Sequence, residues 1–358
     1  MNRKKWVLRF GIICFWMALI TALLYFPKVT ILPRKDKSIN VFSWGDILDP
    51  QVIANFESSS GIKVHINYYA SNEELLVKLK ATQAAGYDLI IPSDYAVYRL
   101  IQENLLKEID KSKLGFLETV NPLLMGHFYD PENHFSLPFS WELFGLGVDR
   151  DYFEQFPFEP TWGLIYDPAL IHYKIAMIND PLEVIPLTAF YLFHKNEPLN
   201  EEKFQQVREL LLKQRPWVEA YADFRGDYFI ATKNCPVAVA SSSYISRSKK
   251  MFPFIQFVIP KEGTFITIEN LCIPINSKKE KWVYELINYL YRPESVAKHF
   301  DSFGFFPATV NALDLIKMDQ QFSKYLFSTK DDFRKYHFFK KVYPQQPIRD
   351  LWIEVKSY

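Results

Sequence analysis

The chain has 358 residues, 49% hydrophobic and 23% charged, so it buries a core, is not a disordered tract, and has room for about two domains. Its net charge of +1 hides an asymmetry: residues 1–37 carry eight bases and one acid, which leaves −6 on the remainder. A mildly acidic body speaks against nucleic acid as a partner, because that partner selects a basic face, and it is compatible with a cationic ligand.

In chain order, a basic start (Met1 to Lys5) precedes Phe10 to Phe26, a run of 17 uncharged residues closed by Pro27, Lys28 and the pair Arg34-Lys35. No small-x-small cleavage site follows the run. The pattern predicts one N-terminal hydrophobic helix that acts as an uncleaved signal anchor, with a cleaved signal peptide as the alternative, and an exported body. Residues 1–37 then form anchor and linker, with the linker at Pro33 to Ser38. Beyond them only Cys235 and Cys272 remain, either as two packed thiols or as a disulfide; their spacing matches no metal motif.

Ile39 to Trp44 alternates as a strand and breaks at Gly45-Asp46. Asp49-Pro50 opens a helix that Gly61 ends, with Val52, Ile53 and Phe56 on one face. Ile62 to Tyr69 is a second strand. Ser71 to Glu74 reads as a capping box before Leu75, Leu76 and Leu79. Asp88 to Ile91 is a third, buried strand that stops at Pro92 and gives way to Ser93, Asp94, Tyr95 and an apolar helical stripe. The order β-α-β-α-β-α predicts a parallel sheet with helices packed on it. In the second half, strands are expected at Phe144 to Val148, Tyr173 to Ile178, Val237 to Ala240, Phe254 to Ile259 and Phe265 to Ile273. Helices are expected at Glu201 to Lys213, Lys279 to Tyr291 and Glu294 to Ser302.

Ligands of open parallel sheets bind beyond the carboxyl ends of the strands. Three such ends are informative: Trp44-Gly45-Asp46, Tyr69 to Asn72, and Ser93-Asp94-Tyr95. Each has a plain alternative reading as a helix cap; together they bring rings, two carboxylates and hydroxyls to one edge. No G-x-S-x-G, H-E-x-x-H, P-loop or C-x-x-C is present and the seven histidines are scattered, so the residues give no sign of an enzyme, and no cofactor or metal is implied.

The ordered stretches FSWGDILDPQVIANFE, GIKVHINYYASNEELLVKLK, YDLIIPSDYAVYRLIQENLLKEIDKSKL and HFSLPFSWELFGLGV, followed by Asn179 to Glu183, Glu269 to Pro274, Tyr291 to Lys298 and Gly304 to Pro307, resemble the periplasmic spermidine/putrescine-binding proteins of bacterial ABC importers. The resemblance covers roughly residues 39 to 315. It implies an α/β, two-lobed type II periplasmic-binding-protein-like fold with a central cleft, the lobes being 38–143 plus 268–315 and 144–267 plus 316–358. It implies a monomeric periplasmic receptor that closes on a polyamine of the putrescine/spermidine class and delivers it to inner-membrane ABC permease subunits; the tether to the inner membrane is expected from the N-terminal run and not from the resemblance. Asp180, Glu183 and Glu269 match the acids that grip the amines, Trp44 the ring after the first strand, and Ser93 and Tyr95 cleft residues. The aromatic wall departs from the pattern. Thr267 and Ser241 stand where tryptophans are expected, Ile47 where a tyrosine is expected, and Phe305 or Phe306 where a hydroxylated ring is expected. Gln345 or Gln346 corresponds loosely to a C-terminal glutamine. Tyr244, Trp141 and the phenylalanines are candidate replacements for the missing rings. This departure keeps open the same fold binding an amino acid, a cofactor precursor or a metal complex, and the expected anchor, unusual for a diffusing receptor, keeps open a non-transport sensory or scaffold protein.

Overall fold

The computed structural model describes residues 3–29, 37–223 and 225–357. Strand β1 (Ser38–Ser43) is the centre of a small parallel sheet, flanked by β2 (Lys63–Tyr68) and β3 (Leu89–Ile90) in the order β2-β1-β3. The connecting helices start where local chemistry provides acceptors. Asp49 accepts from the amides of Gln51 and Val52 ahead of the helix Pro50–Ser60, which Gly61 terminates at φ +69°. Ser71 accepts from Glu74 N ahead of Asn72–Ala81, and the Glu74 carboxylate reaches back to Ala70 N. The third helix, Asp94–Gln102, starts differently: Ser93 sits at its cap position but makes no capping bond.

The larger sheet is built on β4 (Leu137–Asp149), a strand of 13 residues buried throughout. The sequence reading found only its second half. With β5 (Ile175–Met177), β6 (Val218–Tyr221), β7 (Val237–Ser241), β8 (Ile255–Val258), β9 (Thr264–Leu271), β10 (Phe306–Pro307) and β11 (Tyr336–Phe338), the order is β11-β9-β4-β7-β5-β6, and β8 and β10 also pair with β4. The first half of β4 pairs with β9 and β10, and its second half with β7 and β8. Single bridges from Ile90 to Cys272 and from Ser93 to Glu269 tie β3 to β9 and so join the two sheets.

Apolar packing follows the same division. One core gathers Ile39, Val41, Leu89, Leu137, Phe139, Leu271 and Leu286. Another gathers Phe144, Leu146, Val148, Ile175, Val184, Val237 and Trp352. Trp141 and Leu143 fall in a third with Ile266, Ile268 and Phe306. β4 therefore runs through three cores in succession. Cys235 and Cys272 are both free and buried.

A helix covers Arg3–Val29. Among the described residues no helix is long and apolar enough to cross a membrane, and the anchor expected from Phe10 to Phe26 is not shown by the structure. Most of the expected linker, residues 33–36, lies outside the described residues.

Candidate functional site

A cavity of about 540 Å³ opens between the carboxyl edge of the β2-β1-β3 sheet, the crossing strands β4 and β9, and the helices Pro181–Phe193 and Ser242–Lys249. Ten of the thirteen expected site residues are on its wall: Trp44, Asp46, Ser93, Asp94, Tyr95, Asp180, Glu183, Tyr244, Glu269 and Phe305. Trp141, Ser241 and Phe306 are not. Successive side chains of a strand point to opposite faces, so the residue that puts Glu142 on the wall sends Trp141 into the core. There it packs on Phe306 with ring centroids 4.7 Å apart and donates to the carbonyl of Pro307 at 3.1 Å. Phe305, in the turn before β10, is on the wall, whereas Phe306, the first residue of β10, is inside. Ser241 is buried at the end of β7, its hydroxyl 2.9 Å from that of Ser243.

The stretch Ser93-Asp94-Tyr95 has a specific geometry. Ser93 Oγ accepts from Asn72 Nδ2 at 2.6 Å, linking the ends of β2 and β3. Asp94, 3% exposed, accepts from Ile268 N of β9 at 2.9 Å. Burial pushes its carboxyl up to about 7, against that hydrogen bond. Glu269, 7% exposed, is pushed well above the usual range by burial and by repulsion from Asp94 and Glu142. Trp44 Nε1 lies near enough to lower that value slightly but closes no hydrogen bond; both it and Glu269 Oε2 are buried without a partner.

The opposite wall repeats the pattern. Asp180 caps the helix Pro181–Phe193 through Leu182 N, at 2.8 Å. Burial, with repulsion from Glu73 and Asp223, raises its carboxyl to about 6. Glu183, in the first turn, is raised well above the usual range by burial and by Asp180 and Glu142, and its Oε2 has no partner. Buried polar groups are ordinarily hydrogen-bonded, and carboxylates without a cation are costly inside a protein. A cavity ringed by such groups favours a ligand that brings positive charge and N–H donors.

Asp46 stands apart. It is exposed at the mouth, and its carboxylate is met by Arg247 at 3.6 Å, whose guanidinium lies 4.4 Å over the Tyr244 ring. Residues missed by the sequence reading include Glu142, Glu73, Asp223, Arg99, Lys340 and Lys341. Glu142 left one signal, an acid inside the otherwise uncharged stretch FSWELFGLGV; the others left none. Thr267, Ile47 and Gln345 also line the cavity, whereas Gln346 does not. Among the described residues no cluster of His, Cys, Asp and Glu is arranged to hold a metal ion.

A family model described as bacterial extracellular solute-binding protein matches residues 51–325. The chain is 27% identical over 363 residues to the putrescine-binding periplasmic protein PotF of Escherichia coli, covering 96% of this chain and 98% of that one. It is 26% identical over 341 residues to the putrescine-binding periplasmic protein SpuD of Pseudomonas aeruginosa, covering 90% and 92%. A solved structure from Listeria monocytogenes, provisionally named as a spermidine/putrescine ABC transporter, is 26% identical and superposes with a TM-score of 0.79 over 90% of this chain and 99% of that one. The substrate-binding protein PotD from Streptococcus pneumoniae, at 23% identity and TM-score 0.76, shares the fold over 90% and 99%.

Proposed function

Since the chain belongs to the bacterial extracellular solute-binding protein family, we propose that it is the extracytoplasmic receptor of an ABC importer and binds a polyamine of the putrescine/spermidine class between two closing lobes. The observation that carries this reading is the pair of partnerless buried carboxylate oxygens, Glu183 Oε2 and Glu269 Oε2, on facing walls of one cavity beside the Trp44 ring. A polyamine supplies what they lack: separated ammonium groups for the acids and methylenes for the ring, with cation–π attraction worth about 0.5–2 kcal/mol. The names of the relatives support the same ligand class.

The proposal includes delivery to permease subunits, action as a monomer, and a periplasmic tether. The tether rests on the uncharged run Phe10 to Phe26 and on the exposure of Phe10, Ile13, Phe15 and Trp16 along the helix Arg3–Val29. Membrane fractionation of the native chain tests it; recovery in the soluble fraction rejects it.

Calorimetric titration of the full-length chain in detergent with putrescine, spermidine, spermine, cadaverine and the basic amino acids tests the ligand. Saturable one-to-one binding of a polyamine is expected. Asp180→Asn and Glu269→Gln should each weaken it by roughly tenfold or more, because a buried ammonium loses its charged partner. Unchanged affinity in both variants removes the assignment. One observation favours a second reading, a zwitterionic solute such as an amino acid: Arg99, Lys340 and Lys341 also reach the wall. Binding of a basic amino acid in preference to every polyamine would establish it.

A further inference from the structure

Glu142 lines the same cavity as both groups of carboxylates. Asp94 and Glu269 stand on one side of the cavity, Asp180 and Glu183 on the other. Repulsion from Glu142 reaches Glu269 and Glu183 alike. The strand register explains this. β4 and β9 run antiparallel with Ser140 opposite Glu269 and Glu142 opposite Thr267. Residues two apart share a face, so Glu142, Thr267 and Glu269 stand together on the cavity side, with Glu142 and Glu269 as diagonal neighbours, roughly 7–8 Å apart.

Glu142 is 8% exposed, and the hydroxyl of Ser243 donates to it at 2.5 Å; Ser243 is held in turn by Ser241. A ligand charged only at its two ends needs acids only at its ends, and its methylenes favour an apolar middle. An acid between the end groups is a cost to such a ligand, because it must be desolvated without gaining a charged partner. It is an asset to a ligand with a further charged nitrogen along the chain. The partnerless, buried Glu269 Oε2 beside it marks this stretch of wall as facing a ligand rather than a protein partner.

Building on the polyamine reading, we infer that Glu142 is a specificity-determining residue: it pairs with the internal nitrogen of a triamine of the spermidine class and so selects triamines over diamines. Ser241 and Ser243 orient its carboxylate.

The test compares spermidine with 1,8-diaminooctane, its carbon isostere in which the inner nitrogen is a methylene, by calorimetry on the full-length chain in detergent. Wild type should prefer spermidine by roughly tenfold or more, as expected for a hydrogen bond to a charged group. Glu142→Gln should bring the ratio close to one, chiefly by weakening spermidine, with 1,8-diaminooctane unchanged or tighter. Glu142→Ser provides a second variant, and equal binding of the two ligands by wild type overturns the inference even if neither variant folds. Equal binding of the two ligands by wild type, or a ratio that Glu142→Gln leaves unchanged, overturns the inference while the polyamine reading stands. Failure of every amine to bind folded protein overturns both.

Discussion

The acids of the cavity give the molecule a pH dependence whose sign follows from their burial. An acid with a folded pKa above its unfolded value keeps its proton in the folded state when the unfolded chain has lost it, so stability falls as pH rises through that window. For Asp94 the window runs from about 4 to about 7, and Glu183 and Glu269 act in the same direction. His299, pushed down to about 4 by burial, works the opposite way up to about 6.5, so the cleanest comparison lies above that. The melting temperature of ligand-free protein should fall between roughly pH 6.5 and 8, and Glu269→Gln should flatten the fall. A cationic ligand stabilises the ionised acids, so amine binding should release protons and tighten over the same range. A flat melting profile would show that the acids are already ionised in the empty cavity.

Among the elements, the helix Pro293–Phe303 turns at Gly304 into Phe305, which lines the cavity. Gly304 ends that helix at φ +77°, and a Cβ there would sit 2.6 Å from the carbonyl oxygen of Ser243. Both the left-handed backbone and the close approach require glycine. Gly304→Ala should destabilise the fold by about 1–3 kcal/mol in chemical denaturation, from backbone strain and displacement of Ser243. Because Ser243 holds Glu142, the discrimination between triamine and diamine should weaken as well. A variant as stable and as selective as wild type would remove this role.

At the same scale, the first β-α-β-α-β unit was legible because its helices carry local start signals at Asp49-Pro50 and Ser71, and β1 shows partial alternation. β4 was half invisible because its first half, Leu137–Leu143, carries Pro138, Ser140 and Glu142, which interrupt the apolar run although every residue there is buried; only the apolar stretch Phe144 to Val148 read as a strand. The helix Pro181–Phe193 was hidden by its continuous apolar composition and by Pro186 inside it, and Ser242–Lys249 by its serines and bases. The site was legible where residues lie at strand ends or helix starts, which fix position through topology. It was misread at Trp141 and Phe306, where one step along a strand decides between wall and core.

For the molecule as a whole, the ion pair between Asp46 and Arg247 joins the edge of the small sheet to the helix Ser242–Lys249 across the mouth of the cavity. It is largely solvated and contributes about 0–1 kcal/mol to stability. Its place matters more for ligand exchange: Asp46→Asn should speed dissociation severalfold in stopped-flow measurements while leaving the melting temperature within about 2 °C. An unchanged dissociation rate would leave the pair no part in retaining ligand.

The course of β4 through three cores has a consequence for how the protein comes apart. None of the three cores can lose its part of the strand without tearing the ladders of the others, so heating should melt all three in a single cooperative transition with matching calorimetric and van't Hoff enthalpies. The chain cut within β4 should yield fragments that stay unstructured until they are mixed.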